Sequence, residues 1–178
     1  PPTGLVAITG IAEGEIIITW APNSEPDFDR YRLERSLAPD FEPGSEPFEG
    51  AVATFTDTGL YPGEFYYYRV YAIDNHDNVS PPSNVDSAIA QDLAPGAPTG
   101  LVAVTGSGEG EIDLSWNANP ELDIDHYRVE GDEDPGFGSP SSFTSAGTTA
   151  TDSGLMPGGT YYYRVFAIDA GTNESGAS

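Results

Sequence analysis

The chain has 178 residues, no Cys and no Lys, and its six Arg face 29 Asp plus Glu for a formal net charge of −23. Absent Cys excludes disulfide frameworks, thiolate zinc sites and cysteine nucleophiles, and so negative a chain repels nucleic-acid phosphates and anionic membrane surfaces. With 38% hydrophobic and 11% aromatic residues it still has the material for packed cores and is not a disordered polyanion, while no apolar run reaches the roughly 20 residues of a membrane helix.

In chain order, the first element opens with PTGLVAITG at residues 2–10. Residues 16–20 alternate, Ile16, Ile18 and Trp20 against Ile17 and Thr19, which is the period-two signature of a strand with one buried face. Tyr31 and Leu33 share an inward face in the next strand, and Tyr66, Tyr68, Val70 and Ala72 do so in a long later one. The clusters PNSEPD, EPGSEP and DNHDN separate these runs as turns. Residues 85–90 predict a seventh strand, and the connection at residues 92–98 carries two prolines, which limit bending between what lies on either side.

The same elements then return. PTGLVAVTG at residues 98–106 repeats the opening, Trp116 repeats Trp20, and Tyr127-Arg128 repeats Tyr31-Arg32, each 96 positions later. LMPGGTYYYRVFAID at residues 155–169 repeats LYPGEFYYYRVYAID at residues 60–74 with an offset of 95, so one deletion separates the anchors. Here Ile112, Leu114 and Trp116 alternate with Asp113 and Ser115, a cleaner inside–outside pattern. Gly and Pro number 37 together, and short strands with turn signals at this spacing predict antiparallel β-sandwiches. The fold class is all-β: two immunoglobulin-like sandwiches in tandem, residues 1–93 and 94–178. Residues 173–178 align with 78–83, so the second copy is expected to lack its last strand. That would leave the edge of Tyr161, Tyr163, Val165 and Ala167 unpaired and open to a neighbouring subunit.

Each copy resembles a fibronectin type III domain. The resemblance rests on Pro2 with Leu5 and Pro98 with Leu101, on Trp20 and Trp116, on Tyr31 and Tyr127, and above all on Leu-x-Pro-Gly-x-x-Tyr-x-Tyr-x-Val-x-Ala, complete in both copies. It covers nearly the whole chain. It implies that Trp20 and Trp116 are core residues and that Tyr66 and Tyr161 are tyrosine-corner residues whose hydroxyls bond to nearby backbone.

Candidate sites are few. The two His, His76 and His126, occupy positions that the copies do not share, and neither sits in a triad pattern, so no enzyme is expected. Glu25, Asp27 and Asp29 recur as Glu121, Asp123 and Asp125 before the third strand of each copy; this oxygen-rich spacing admits calcium, but no glycine sits where a calcium loop would turn, and a solvated loop is the better reading. Glu130, Asp132, Glu133 and Asp134 form a second acidic group. No other cofactor is implied. Arg30, Arg32, Arg69, Arg128 and Arg164 fall out of phase with the core, which places them on an outer face with Tyr67 and Tyr71, or with Tyr162 and Phe166, for Arg–aromatic stacking. Asn78-Val-Ser80 and Asn173-Glu-Ser175 match the glycosylation pattern but coincide with a turn, and turn chemistry explains them better.

These features imply a non-catalytic structural or spacer module of a larger bacterial or archaeal protein, extracellular or at the cell surface, whose partners are other domains of that chain. The rival readings are a filament subunit completed by strand exchange, the accessory region of a secreted polysaccharide-degrading enzyme, and an adhesin. Acidity is spread evenly, sixteen acidic residues against four Arg up to position 92 and thirteen against two beyond it, which favours solubility over any one acidic patch.

Overall fold

Alternating apolar residues bury one face of each strand, and the buried faces of two sheets close on each other. A computed structural model describes residues 1–42 and 44–178; Pro43, within the EPGSEP turn, lies outside them. The chain divides into two units, Pro1–Leu93 and Ala94–Ser178. Among the described residues there is no helix.

Unit 1 contains β1 (Thr3–Thr9), β2 (Ile16–Ala21), β3 (Phe28–Ser36), β4 (Glu46–Gly50), β5 (Thr54–Asp57), β6 (Phe65–Asp74) and β7 (Asp86–Ile89). They form a β1-β2-β5 sheet and a β4-β3-β6-β7 sheet, antiparallel throughout. Between the sheets lie Leu5, Ile16, Ile18, Trp20, Tyr31, Leu33, Tyr66, Tyr68 and Val70. Tyr31 meets Trp20 edge-on with ring centroids 5.2 Å apart, a geometry that suits the aromatic quadrupoles.

Unit 2 contains β8 (Val102–Thr105), β9 (Ile112–Ser115), β10 (Ile124–Asp132), β11 (Ser141–Ser145), β12 (Thr149–Asp152) and β13 (Tyr162–Asp169), in sheets β12-β9-β8 and β11-β10-β13. Its core is Leu114, Trp116, Tyr127, Val129, Val165 and Ala167. Leu101 and Ile112 are only partly buried, whereas their counterparts Leu5 and Ile16 are fully buried. The reason is visible in unit 1. There the Asn84 amide brackets Leu5, accepting its N–H at 3.0 Å and donating to its carbonyl at 2.9 Å, and Asp86 accepts the Ala7 N–H at 3.0 Å. This clip draws β1 against β7 and closes the core over Leu5.

One glycine in each unit is required by packing. Gly14 has φ of +60°, and a Cβ there would lie 2.4 Å from the Leu60 carbonyl oxygen; Gly110 has φ of +70° and the same 2.4 Å approach to Leu155. Only glycine combines a left-handed backbone with so close a contact.

Candidate functional site

The tyrosine corner forms in both units. The Tyr66 hydroxyl accepts the Tyr61 N–H at 3.1 Å, and the Tyr161 hydroxyl accepts the Met156 N–H at 2.9 Å. Trp20 and Trp116 are both core residues.

The outer face of the four-stranded sheet and its unit 2 counterpart carry five of the chain's six Arg. Cross-strand register sets Arg32 opposite Tyr71 and Glu34 opposite Arg69, and likewise Arg128 opposite Phe166 and Glu130 opposite Arg164. Arg32 lies over Tyr71 with its guanidinium carbon 4.7 Å from the ring centre, and Arg128 lies 4.1 Å over Phe166. Glu34, nearly buried, accepts Arg69 at 2.8 Å and faces Arg32 at 3.4 Å. Glu130 accepts Arg164 at 2.6 Å and also holds Arg128. Burial alone would raise the Glu130 carboxyl; hydrogen bonds and charge from Arg164 and Arg128 outweigh it and hold the group below the usual carboxylate range. Glu130 is thus engaged by both arginines of the ladder.

Two members of this ladder escape sequence reasoning. Phe41 stacks on Arg69 at 4.1 Å and Phe137 on Arg164 at 4.3 Å, each completing an aromatic–Arg–aromatic sandwich with Tyr71 or Phe166. Both are non-glycine residues with positive φ, 61° and 51°, a conformation that costs energy and that the stacking offsets. Tyr67 and Tyr162 form no such stack among the described residues, and Arg30 instead gathers Asp29, Glu49 and Asp77 at 2.7–3.0 Å.

The sixth Arg does different work. Arg35 is on the core-side phase of β3 and donates to both oxygens of Asp57, at 3.0 and 3.2 Å, while the Tyr68 hydroxyl donates to Asp57 at 3.0 Å. Tyr68 is fully buried, and burial beside a carboxylate pushes its hydroxyl well above the ordinary tyrosine range. Unit 2 keeps the Tyr163–Asp152 bond at 3.0 Å but has Gly131 in place of the arginine. A Cβ at Gly131 would lie 2.8 Å from the Tyr163 ring, so that ring occupies the space.

The acidic loops do not converge as the spacing suggested. Among the described residues, Glu25, Asp27 and Asp29 do not bring their carboxylates within 4.8 Å of one another, nor do Glu121, Asp123 and Asp125. Glu25 accepts the Asn23 amide at 2.9 Å and the Ser24 N–H at 3.0 Å, Asp29 pairs with Arg30, and Asp125 lies 2.8 Å from His126. Glu121 accepts a backbone N–H from Gly96, and Asp123 is buried, its carbonyl accepting the Ala170 N–H. Alternate residues entering a strand share a face only once the strand is regular, and a register shift interrupts β3 between Phe28 and Arg30 and β10 between Ile124 and His126. In the second acidic group, Asp132 accepts the N–H groups of Asp134 and Ser139, and Asp134 accepts that of Gly136.

At the edge of β13, Val165 and Ala167 already have partners. Ser178 exchanges two hydrogen bonds with Val165 and Ser175 two with Ala167, as Ser83 and Ser80 do with Val70 and Ala72. The open stretch shrinks to Tyr161–Tyr163, whose unit 1 counterparts pair with β7. Both glycosylation-pattern Asn residues are turn residues: Asp74 accepts the Asn78 N–H and amide, and Asp169 accepts those of Asn173. Neither imidazole bonds a Ser or Thr hydroxyl among the described residues.

A family model described as the fibronectin type III domain matches residues 1–87. Exoglucanase B of Cellulomonas fimi is 36% identical over 135 residues, covering 70% of this chain and 12% of that protein. Chitinase A1 of Niallia circulans is 39% identical over 131 residues, covering 70% of this chain and 18% of that protein. The chain thus spans less than a fifth of the length of either relative. A two-domain fibronectin type III segment of chicken tenascin has the same fold, with a TM-score of 0.58 at 22% identity over 99% of this chain and 95% of that one.

Proposed function

Because a fibronectin type III family model matches residues 1–87 and residues 98–169 repeat the same motifs, we propose that the chain is a tandem of such domains acting as a non-catalytic spacer in a larger extracellular protein, accessory to an enzyme that degrades an insoluble polymer. The observation that carries this reading is the match of most of the chain to a small part of an exoglucanase and of a chitinase. The structure adds support: the ladder and the tyrosine corner are built alike in both units, as a scaffold requires and a specialised ligand face does not.

The test is deletion of this segment from the parent protein. Activity on insoluble polymer falls while activity on soluble oligomers is retained, and an unrelated two-domain spacer of equal length restores the loss. Hydrolysis by the 178-residue chain alone, or unchanged turnover of insoluble polymer after deletion, refutes the proposal. A second reading is strand addition from a neighbouring subunit at Tyr161–Tyr163, whose unit 1 counterparts pair with β7. It requires polymers that grow with concentration in light scattering.

A further inference from the structure

Unit 2 begins with a hydrogen-bonded device that the strand framework does not need. Gly96 donates its N–H to Glu121 Oε1 at 2.7 Å, and Asn119 Nδ2 donates to the Gly96 carbonyl at 2.7 Å. Two side chains of one loop, between β9 and β10, thus take both main-chain groups of a single residue. The loop is itself fixed, since the Asn119 N–H donates to the Tyr127 hydroxyl at 3.0 Å. Burial opposes ionisation of Glu121, but hydrogen bonds led by that from Gly96 outweigh it and keep the carboxyl below its usual range. A charged acceptor makes this the stronger kind of hydrogen bond.

Unit 1 carries the same parts 96 positions earlier. Asn23 and Glu25 stand between β2 and β3, and the Asn23 N–H donates to the Tyr31 hydroxyl at 2.6 Å. The residue equivalent to Gly96 would be the one directly ahead of Pro1. Here the Asn23 amide, which in the unit 2 equivalent donates to Gly96, turns onto Glu25. A cavity of about 230 Å³ adjoins them, lined by Pro1, Asn23, Glu25, Phe28 and Asn78 among others.

We propose that Asn23 and Glu25 form a main-chain clamp for an extended peptide running into Pro1, Glu25 taking its N–H and Asn23 its carbonyl. The ligand is uncharged backbone, and the clamp reads size rather than sequence. In unit 2 a Cβ on Gly96 would approach Glu121 Oε1 to 3.2 Å, so glycine or another small residue fits best. The clamp deepens the spacer reading, because it lets each module fix the segment that enters it.

The experiment fuses Leu-Ala-Pro-Gly, the sequence of residues 93–96, ahead of Pro1 of the full chain and follows amide hydrogen exchange by NMR. The added glycine exchanges at least about tenfold more slowly than in the free peptide, a protection worth roughly 1.4 kcal/mol. Glu25→Ala returns it to the peptide rate and leaves Gly96 protected, and Glu121→Ala does the converse. Replacing the added glycine by Val lowers the protection at that position. An added glycine that exchanges freely in a molecule whose Gly96 is protected overturns the clamp and leaves the spacer reading standing. A Gly96 that is itself unprotected overturns it too.

Discussion

Asp57 is the residue where the two units differ most in what a deletion removes. In unit 1, Asp57→Ala leaves the Tyr68 hydroxyl buried without a partner and takes from Arg35 its bidentate carboxylate. An unmet buried hydroxyl costs about 1–3 kcal/mol, and a charge stripped of a buried partner about 3–5 kcal/mol. Arg35 keeps Glu46 and a side chain 20% exposed to water, so its share drops below the buried-pair range and the combined loss is about 3 kcal/mol. In unit 2, Asp152→Ala removes one hydrogen bond from a half-buried tyrosine with no arginine beside it, for about 1 kcal/mol. The expected difference of about 2 kcal/mol is roughly a 30-fold ratio in unfolding constants. Each unit holds one Trp, so urea unfolding by fluorescence in a Trp116→Phe background reports unit 1 and in a Trp20→Phe background reports unit 2. Adding Tyr68→Phe to Asp57→Ala should cost less than the sum of the two, because they share a bond. Equal losses of about 1 kcal/mol or less in both units would refute the reasoning.

Three further outcomes follow from the same contacts. Phe41→Ala, at a residue 4% exposed, destabilises unit 1 by about 3 kcal/mol, and Phe137→Ala, at a more exposed position, costs unit 2 about 1 kcal/mol, both read by the single-Trp assay. Gly131→Ala drives a methyl into the Tyr163 ring and costs about 1–3 kcal/mol, a loss seen in unit 2 and not in unit 1. Glu121 and Glu130 are held below the ordinary carboxylate range in the folded state, so their stabilisation is present above that range and is lost as pH falls through their folded values. Melting temperature in 0.2 M salt, which screens the long-range repulsion, therefore drops from pH 6 to pH 3, and Glu130→Gln flattens that drop for unit 2.

The strands and both cores were readable because burial on one face imposes a two-residue period that Ile16, Ile18 and Trp20 display directly. The Arg–aromatic stacking was readable for the same reason, since Arg32 and Arg69 sit on the opposite phase. Phe41 and Phe137 were not, because each stands in a loop with a left-handed backbone and no periodic neighbour. What the carboxylates accept was not readable, because residue type says nothing about it: Glu121 binds an N–H 25 positions away, and Asp57 an arginine 22 positions away. Gly131 repeats no arginine, and only the Tyr163 ring packed over it explains why.

The placement of the arginines has a consequence for survival among proteases. A trypsin-like enzyme cuts after Lys or Arg, and this chain offers only six such bonds. All six lie inside β3, β6, β10 or β13, with the side chains tied to carboxylates. The loops, where proteolysis ordinarily begins, carry no Lys or Arg at all. Tryptic cleavage must wait for a strand to leave its sheet, so its rate measures unfolding.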